Sequence, residues 1–208
     1  MKLKPILFST SMVQAILALK KTQTRRVIIP QPDDNGMIHA VTNTGEAVLF
    51  DVNSKGLSRY RVGDILWVRE TWKYYEKAAG YAETFRIERR IAYKADETRD
   101  DVQKSCEWYD GAWKPSIHMP YIAARIFLLV TGVRAERVQD ISDADAEAEG
   151  VEPMTTPHIP GVGRTYIQGF GELWNAINKK RGYGWDMNPW VDVVTFEPCD
   201  KPEESVDD

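Results

Sequence analysis

Arg125-Ile126-Phe127-Leu128-Leu129-Val130 is apolar at nearly every position. An extended chain sends alternate side chains to opposite faces, so this stretch predicts a long strand buried on both sides and central in its sheet. Met119-Pro120 leads into it. Upstream, the turn signal Gly63-Asp64 precedes Ile65-Leu66-Trp67-Val68, a second buried strand by its apolar run. Downstream, Trp190 to Phe196 reads as the last strand. Val48 to Phe50 and Ile91-Ala92-Tyr93 supply weaker strand signals, and an Asp110-Gly111 turn lies between Trp108 and Trp113.

Helical signals are fewer. Ser9 or Ser11 caps a short helix reaching about Leu19, with Met12, Ile16 and Leu19 as its apolar stripe. Ser142 as N-cap, Asp145 three residues on and Gly150 at the far end predict a helix from Asp143 to Glu149. Phe170, Leu173, Trp174 and Ile177 stand at i, i+3, i+4 and i+7 of a longer helix ended by Gly182. Strands scattered among short helices, without regular βαβ alternation, predict an α+β fold, a small β-barrel or half-barrel carrying helices. Residues 1–197 read as one domain, 152–165 as a surface loop within it, and 198–208 as a disordered acidic tail with no apolar pattern.

The 208 residues are 43% hydrophobic, enough for a core, and a formal charge of -4 excludes a wholly basic nucleic-acid binder. The charge is uneven: Lys2, Lys4, Lys20, Lys21, Arg25 and Arg26 stand in the first 32 residues with no acid among them. That asymmetry fits either a basic patch facing an anionic partner or two differently solvated surfaces. Cys106 and Cys199 form no C-x-x-C, so a reducing, cytoplasmic compartment is expected. His39, His118 and His158 show no metal-ligand spacing; no metal and no cofactor are expected. No apolar run reaches the roughly 18 residues of a membrane span, and no secretory signal is visible, so no membrane partner is expected. The oligomeric state is open.

Lys21-Thr22-Gln23-Thr24-Arg25-Arg26 is the most polar feature beside a predicted element. Cations after a helix complement its dipole, roughly 0.3–1 kcal/mol each, which is reason enough for them structurally. A working Lys21–Thr24 pair instead requires a turn, because a regular strand sends positions i and i+3 to opposite faces. Glu149 sits at a helix C-terminus, where a carboxylate opposes the dipole, or is one more solvated acid beside Asp143, Asp145 and Glu147. Glu70 ends a strand, where site residues gather, or pairs with Arg69 or Arg61. Among the tryptophans in irregular segments, Trp72, Trp108, Trp113 and Trp185, one is placed to stack on a base or simply to be buried.

These motifs resemble the ASCH family, a branch of the PUA-like fold. The resemblance lies in the helix followed by Lys21 to Arg26, in Gly63 to Val68, in Ala146-Glu147-Ala148-Glu149-Gly150 and in the closing strand, roughly half of the chain. Arg69-Glu70-Thr71-Trp72 and Lys114 to Pro120 are similar to a long form common in phages and prophages. The resemblance implies a PUA-like small β-barrel with a cleft beside the Lys-Thr loop, and flanking helices. Against the compact members, this chain carries two long insertions, at about 30–60 and 73–116, which are placed to roof the cleft or change its substrate.

Compact bacterial relatives are amidohydrolases that remove acetyl from N4-acetylcytidine, and the motif match carries their lysine, threonine and glutamate to Lys21, Thr24 and Glu149. In that scheme Thr24 supplies the hydroxyl, and Lys21 takes its proton once its pKa falls from about 10.4. A protonated Glu149 is acid to the departing amine. Arg25, Arg26, Glu70 and Trp72 are the expected substrate contacts, with Arg25, Arg26 or loop N–H groups as oxyanion donors. The other class is an RNA or modified-nucleic-acid binding module in which Lys21, Arg25 and Arg26 meet phosphate. A ribonuclease, an activity assigned to other relatives, lies between the two. The expected partner is accordingly a modified nucleoside or RNA.

Overall fold

A computed structural model describes residues 2–41, 47–52, 58–79, 86–96, 107–154 and 165–203. The fold is mixed α and β, with mostly strands and few helices. The chain divides into two compact units, the first built from Ala18–Asp64 and Leu129–Glu197, the second from Lys2–Leu17, Ile65–Leu128 and Pro198–Asp208.

The first unit carries strands β2 (Gln23–Val27), β3 (Met37–Val41) and β4 (Ala47–Asp51), most of β9 (Phe127–Arg137), and β10 (Trp190–Cys199) up to Glu197. It also holds helices α2 (Asp143–Ala148) and α3 (Tyr166–Asn178). Its main strand order is β9-β10-β2, with β10 antiparallel to β2 so that Val194 stands opposite Thr24 and Val191 opposite Val27. Val191 and Val193 of β10 pack with Ile141, Ala146, Phe170 and Trp174, which fastens both helices to the sheet. Ser142 caps α2 by accepting from the Asp145 N–H at 3.1 Å, and Gly150 leaves it with φ +76°, as Ser-x-x-Asp and the following glycine predict. A smaller cluster of Ile28, Ile38 and Val52 sits under the β3–β4 hairpin with Trp190.

In the second unit β1 (Leu3–Leu7) pairs parallel with β5 (Ile65–Arg69), and the Val68 N–H donates to Ile126 at the entry to β9. Helix α1 (Thr10–Leu17) buries Val13, Ala15 and Ile16. A three-stranded antiparallel sheet has β6 (Trp72–Ala79) between β7 (Arg86–Tyr93) and β8 (Glu107–Asp110). It occupies the predicted insertion at 73–116.

The expected barrel is not formed: the described sheets are open, with strands at their ends rather than a closing pair. The apolar run predicts its strand in the right place, but β9 starts at Phe127 and continues to Arg137 past the point where apolar character ends. In α1 the buried stripe is not Met12-Ile16-Leu19. Leu19 has left the helix with φ +57° and is 71% exposed. In α3 Phe170 and Trp174 are buried while Ile177 is exposed. β10 runs on through Pro198 to Cys199, into the stretch whose sequence predicts a tail, and residues 204–208 of that tail lie outside the described residues. So do His158, Cys106 and residues 155–164 of the predicted loop. No described helix is long and apolar enough to cross a membrane.

Candidate functional site

Lys21 to Arg26 is not a turn. Lys21 makes an isolated antiparallel bridge with Glu149, the Thr22 N–H donates to Ala148 at 2.8 Å, and β2 begins at Gln23. The chain is therefore extended, and alternate side chains reach the same acidic neighbours. Lys21 Nζ donates to Glu149 Oε2 at 2.7 Å and to the Glu149 carbonyl at 2.9 Å. Gln23 Nε2 donates to Asp145 Oδ1 at 2.9 Å. Arg25 donates from Nη1 to Glu149 Oε1 at 3.1 Å, and from Nε and Nη2 to Glu136 Oε1 at 3.0 and 2.7 Å. Its guanidinium lies 5.6 Å from the Phe170 ring centroid.

Arg134 closes the network, donating to Glu136 Oε2 at 3.0 Å and to Asp145 Oδ2 at 2.8 Å. Lys21, Arg25 and Arg134 thus balance Glu136, Asp145 and Glu149 charge for charge. The balance matters because the Lys21 and Arg25 side chains have no exposed surface and that of Glu149 only 3%. A lone ion there would carry a desolvation cost of several kcal/mol. Burial pulls the Lys21 pKa below its ordinary 10.5; the charge and hydrogen bond of Glu149 oppose the shift, and Arg26 and Arg25 add to it.

Strand alternation sends Thr24 and Arg26 to the face of β2 opposite Gln23 and Arg25. Thr24 is buried, and among the described residues no hydrogen bond joins it to Lys21 or Glu149. The convergence of Lys21 and Thr24 from a turn, which a working pair requires, is therefore absent. Arg26 is half-buried, and burial lowers its pKa; Tyr60 and Glu149 act against that shift, and Arg59 and Arg181 with it. A cavity of about 390 Å³ opens beside the network, lined by Leu19, Lys20, Thr22, Glu147, Gly150, Val151, Glu152 and Tyr166. It is flanked by the sequence neighbours of Lys21 and Glu149, and its hydroxyls are those of Thr22 and Tyr166, the latter donating to Glu147 at 3.0 Å.

Glu70 and Trp72 belong to the second unit and have partners there. Glu70, 1% exposed, receives both Nε and Nη2 of Arg125 at 2.9 and 3.1 Å, rather than pairing with Arg69 or Arg61. Arg125 also holds Asp96 at 2.7 and 2.8 Å, and lies 3.9 Å over the Tyr93 ring. Burial raises the Glu70 pKa above its ordinary 4.5 against the pull of Arg125. Trp72 opens β6 instead of sitting in an irregular segment, and is 3% exposed with its ring edge-on to Tyr74.

Glu136, Arg134 and Gln23 are the network members that sequence reasoning passes over. The available signal is the alternation Arg134-x-Glu136 just past the apolar run, which marks one polar face of a continuing strand. Comparison with family models, with curated proteins and with solved structures finds no match to this chain.

Proposed function

We propose that this chain is an amidohydrolase of the ASCH, PUA-like kind, acting without a metal on an N4-acylated cytosine nucleoside or a related modified base. The observation that carries the reading is the buried Lys21–Glu149 pair, an amine whose pKa burial has lowered, 2.7 Å from a carboxylate. One proton moving along that hydrogen bond turns ammonium and carboxylate into amine and carboxylic acid with no change in net charge. The amine is then the base that an attacking hydroxyl needs, and the acid is the proton donor for the cytosine nitrogen. The hydroxyl oxygen bonds to the acyl carbon, the C–N bond breaks with the Glu149 proton passing to nitrogen, and water releases the acid from the acyl intermediate.

The resemblance assigns the hydroxyl to Thr24, which stands on the face of β2 opposite Lys21, so the role requires residues 21–24 to turn when substrate binds. Thr22, which lines the cavity, is the competing hydroxyl. The rival reading, phosphate binding through Lys21, Arg25 and Arg26, is less favoured because Lys21 and Arg25 are buried on carboxylates.

The test is release of cytidine and acetate from N4-acetylcytidine, followed by chromatography. Lys21→Arg is expected to abolish turnover, because a guanidinium keeps its charge and is no base near neutral pH. Thr24→Ala and Thr22→Val, compared with Thr24→Ser and Thr22→Ser, identify the nucleophile. A wild-type chain without turnover overturns the reading.

A further inference from the structure

We infer that Glu136, acting through Arg25, is the positioning residue that lets a proton cross from Lys21 to Glu149. The inference rests on the hydrolase reading and adds to it a residue outside the set Lys21, Thr24 and Glu149. The two oxygens of Glu149 have separate cations: Oε2 accepts from Lys21 Nζ at 2.7 Å, and Oε1 accepts from Arg25 Nη1 at 3.1 Å. A proton leaving Lys21 therefore lands on Oε2. The N–H bond breaks, its electron pair stays on Nζ, and an O–H bond forms while Arg25 still holds Oε1. That crossing turns Glu149 neutral and takes one anion away from Arg25, whose side chain has no exposed surface. Glu136 then carries the compensation, its Oε1 accepting Nη2 and Nε at 2.7 and 3.0 Å, with Asp145 Oδ2 farther off at 3.5 Å. Without the Glu136 charge, the crossing would leave a buried guanidinium short of its anion, which is costly, so the proton would stay on Lys21.

The charges around the pair come from several elements of the first unit. Burial, with Arg26 and Arg25 of β2, lowers the Lys21 pKa, and Glu149 from the end of α2 opposes the shift. Tyr60, Arg59 and Arg181 act on Arg26, as does Glu149. α2 also supplies Asp145, and β9 supplies Glu136 and Arg134. α3 brings the Phe170 ring to Arg25, and β10 sets Val193 opposite Arg25 and Thr195 opposite Gln23. Arg134 grips the outer oxygens, Glu136 Oε2 at 3.0 Å and Asp145 Oδ2 at 2.8 Å. Glu136 thus stands one guanidinium away from Glu149, and Arg134 one carboxylate further out. Their charges have opposite signs, so removing each should move the protons of the pair in opposite directions.

The experiment compares the full wild-type chain with Glu136→Gln and Arg134→Gln in two measurements. One is the pH profile of kcat/KM for N4-acetylcytidine, which is bell-shaped because the pair works while it holds one proton between amine and carboxylate. The other is nitrogen-15 NMR of the lysine side chains without substrate, with the Lys21 signal assigned by its absence in Lys21→Met. Glu136→Gln removes a negative charge, so protons are held less tightly. Both limbs of the profile and the Lys21 titration should move to lower pH. The maximum of kcat/KM should fall about 10-fold or more, the low end of what a neighbouring cation does to a carboxylate. Arg134→Gln removes a positive charge from a side chain 43% exposed, and should move the same readouts to higher pH, by less because solvent screens it. Circular dichroism checks folding, and Arg134→Gln keeps the test decisive if Glu136→Gln does not fold. A fall in kcat/KM with unmoved limbs and an unmoved Lys21 titration would assign Glu136 a purely structural role and overturn the inference. Shifts of the same sign in the two variants would overturn it as well. Opposed Lys21 shifts in a chain without turnover would sink the hydrolase reading and leave the proton control by Glu136 standing. Turnover with no Lys21 shift would do the reverse, so the two readings fail separately.

Discussion

Lys21 holds Glu149 twice, by its carboxylate at 2.7 Å and by its backbone carbonyl at 2.9 Å. The pair therefore ties the start of β2 to the C-terminal cap of α2 as well as balancing charge. Glu149→Gln preserves shape but leaves Lys21 and Arg25 facing a neutral amide, and a buried ion stripped of its partner costs on the order of 3–5 kcal/mol. Urea unfolding should show that loss, and adding Lys21→Met should recover part of it. Two losses that merely add would mean that the pair is not coupled.

The lowered Lys21 pKa has a pH signature. Between its folded value and the ordinary 10.5, the unfolded chain holds a proton that the folded chain has released. Stability contributed by this group therefore rises with pH across that window. Unfolding free energies of wild type and Lys21→Met, measured from neutral pH to about 10, should diverge with the wild type gaining; parallel curves would show an unperturbed lysine.

Two glycines of α3 should answer oppositely to alanine. A Cβ on Gly169 would stand 2.4 Å from the backbone oxygen of Glu152, a contact that no rotamer can relieve. On Gly171 it meets Trp185 at 3.6 Å, ordinary contact, and removes a helix-interior glycine. Gly169→Ala should cost about 1–3 kcal/mol as overpacking, and Gly171→Ala should gain roughly 0.5–1 kcal/mol. Thermal melts of the two variants decide it; similar midpoints would contradict the contact.

Arg125→Leu should expose the cost of Glu70. The variant removes both hydrogen bonds from a carboxylate that is 1% exposed, and the loss should be on the order of 3–5 kcal/mol near neutral pH. Burial already raises the Glu70 pKa above 4.5, so the folded chain takes up that proton before the unfolded one does. Acidification towards 4.5 should therefore restore part of the lost stability. A deficit that stays constant from pH 7 to 5 would show that Glu70 is not its source.

The caps of α2, its glycine terminator and the apolar strands are legible in the sequence because each rests on local chemistry: a hydroxyl before a helix, a residue free to take positive φ, a run of apolar side chains. Lys21 to Arg26 is not legible in that way. Its strand character comes from Ala148 and Phe196, which bond the Thr22 backbone from distant parts of the chain, and no apolar alternation announces it. Glu149 is found from its placement at a helix end. Glu136 is invisible until β9 and β2 are known to belong to one sheet, since 111 residues separate it from Arg25. For Trp72 the sequence leaves base stacking and burial both open, and burial follows only once the sheet built from the long insertion is known.

The every-other-residue spacing of Lys21, Gln23 and Arg25 also acts as a key for strand alignment. Side chains in a strand repeat every two residues, so sliding β2 by one position against β10 would present Thr22, Thr24 and Arg26 to Glu149, Asp145 and Glu136. One cation would then face three carboxylates in a space that excludes water. The misaligned pairing is penalised by electrostatics as well as by packing, and a strand with little apolar content of its own is held to a single frame by its ions.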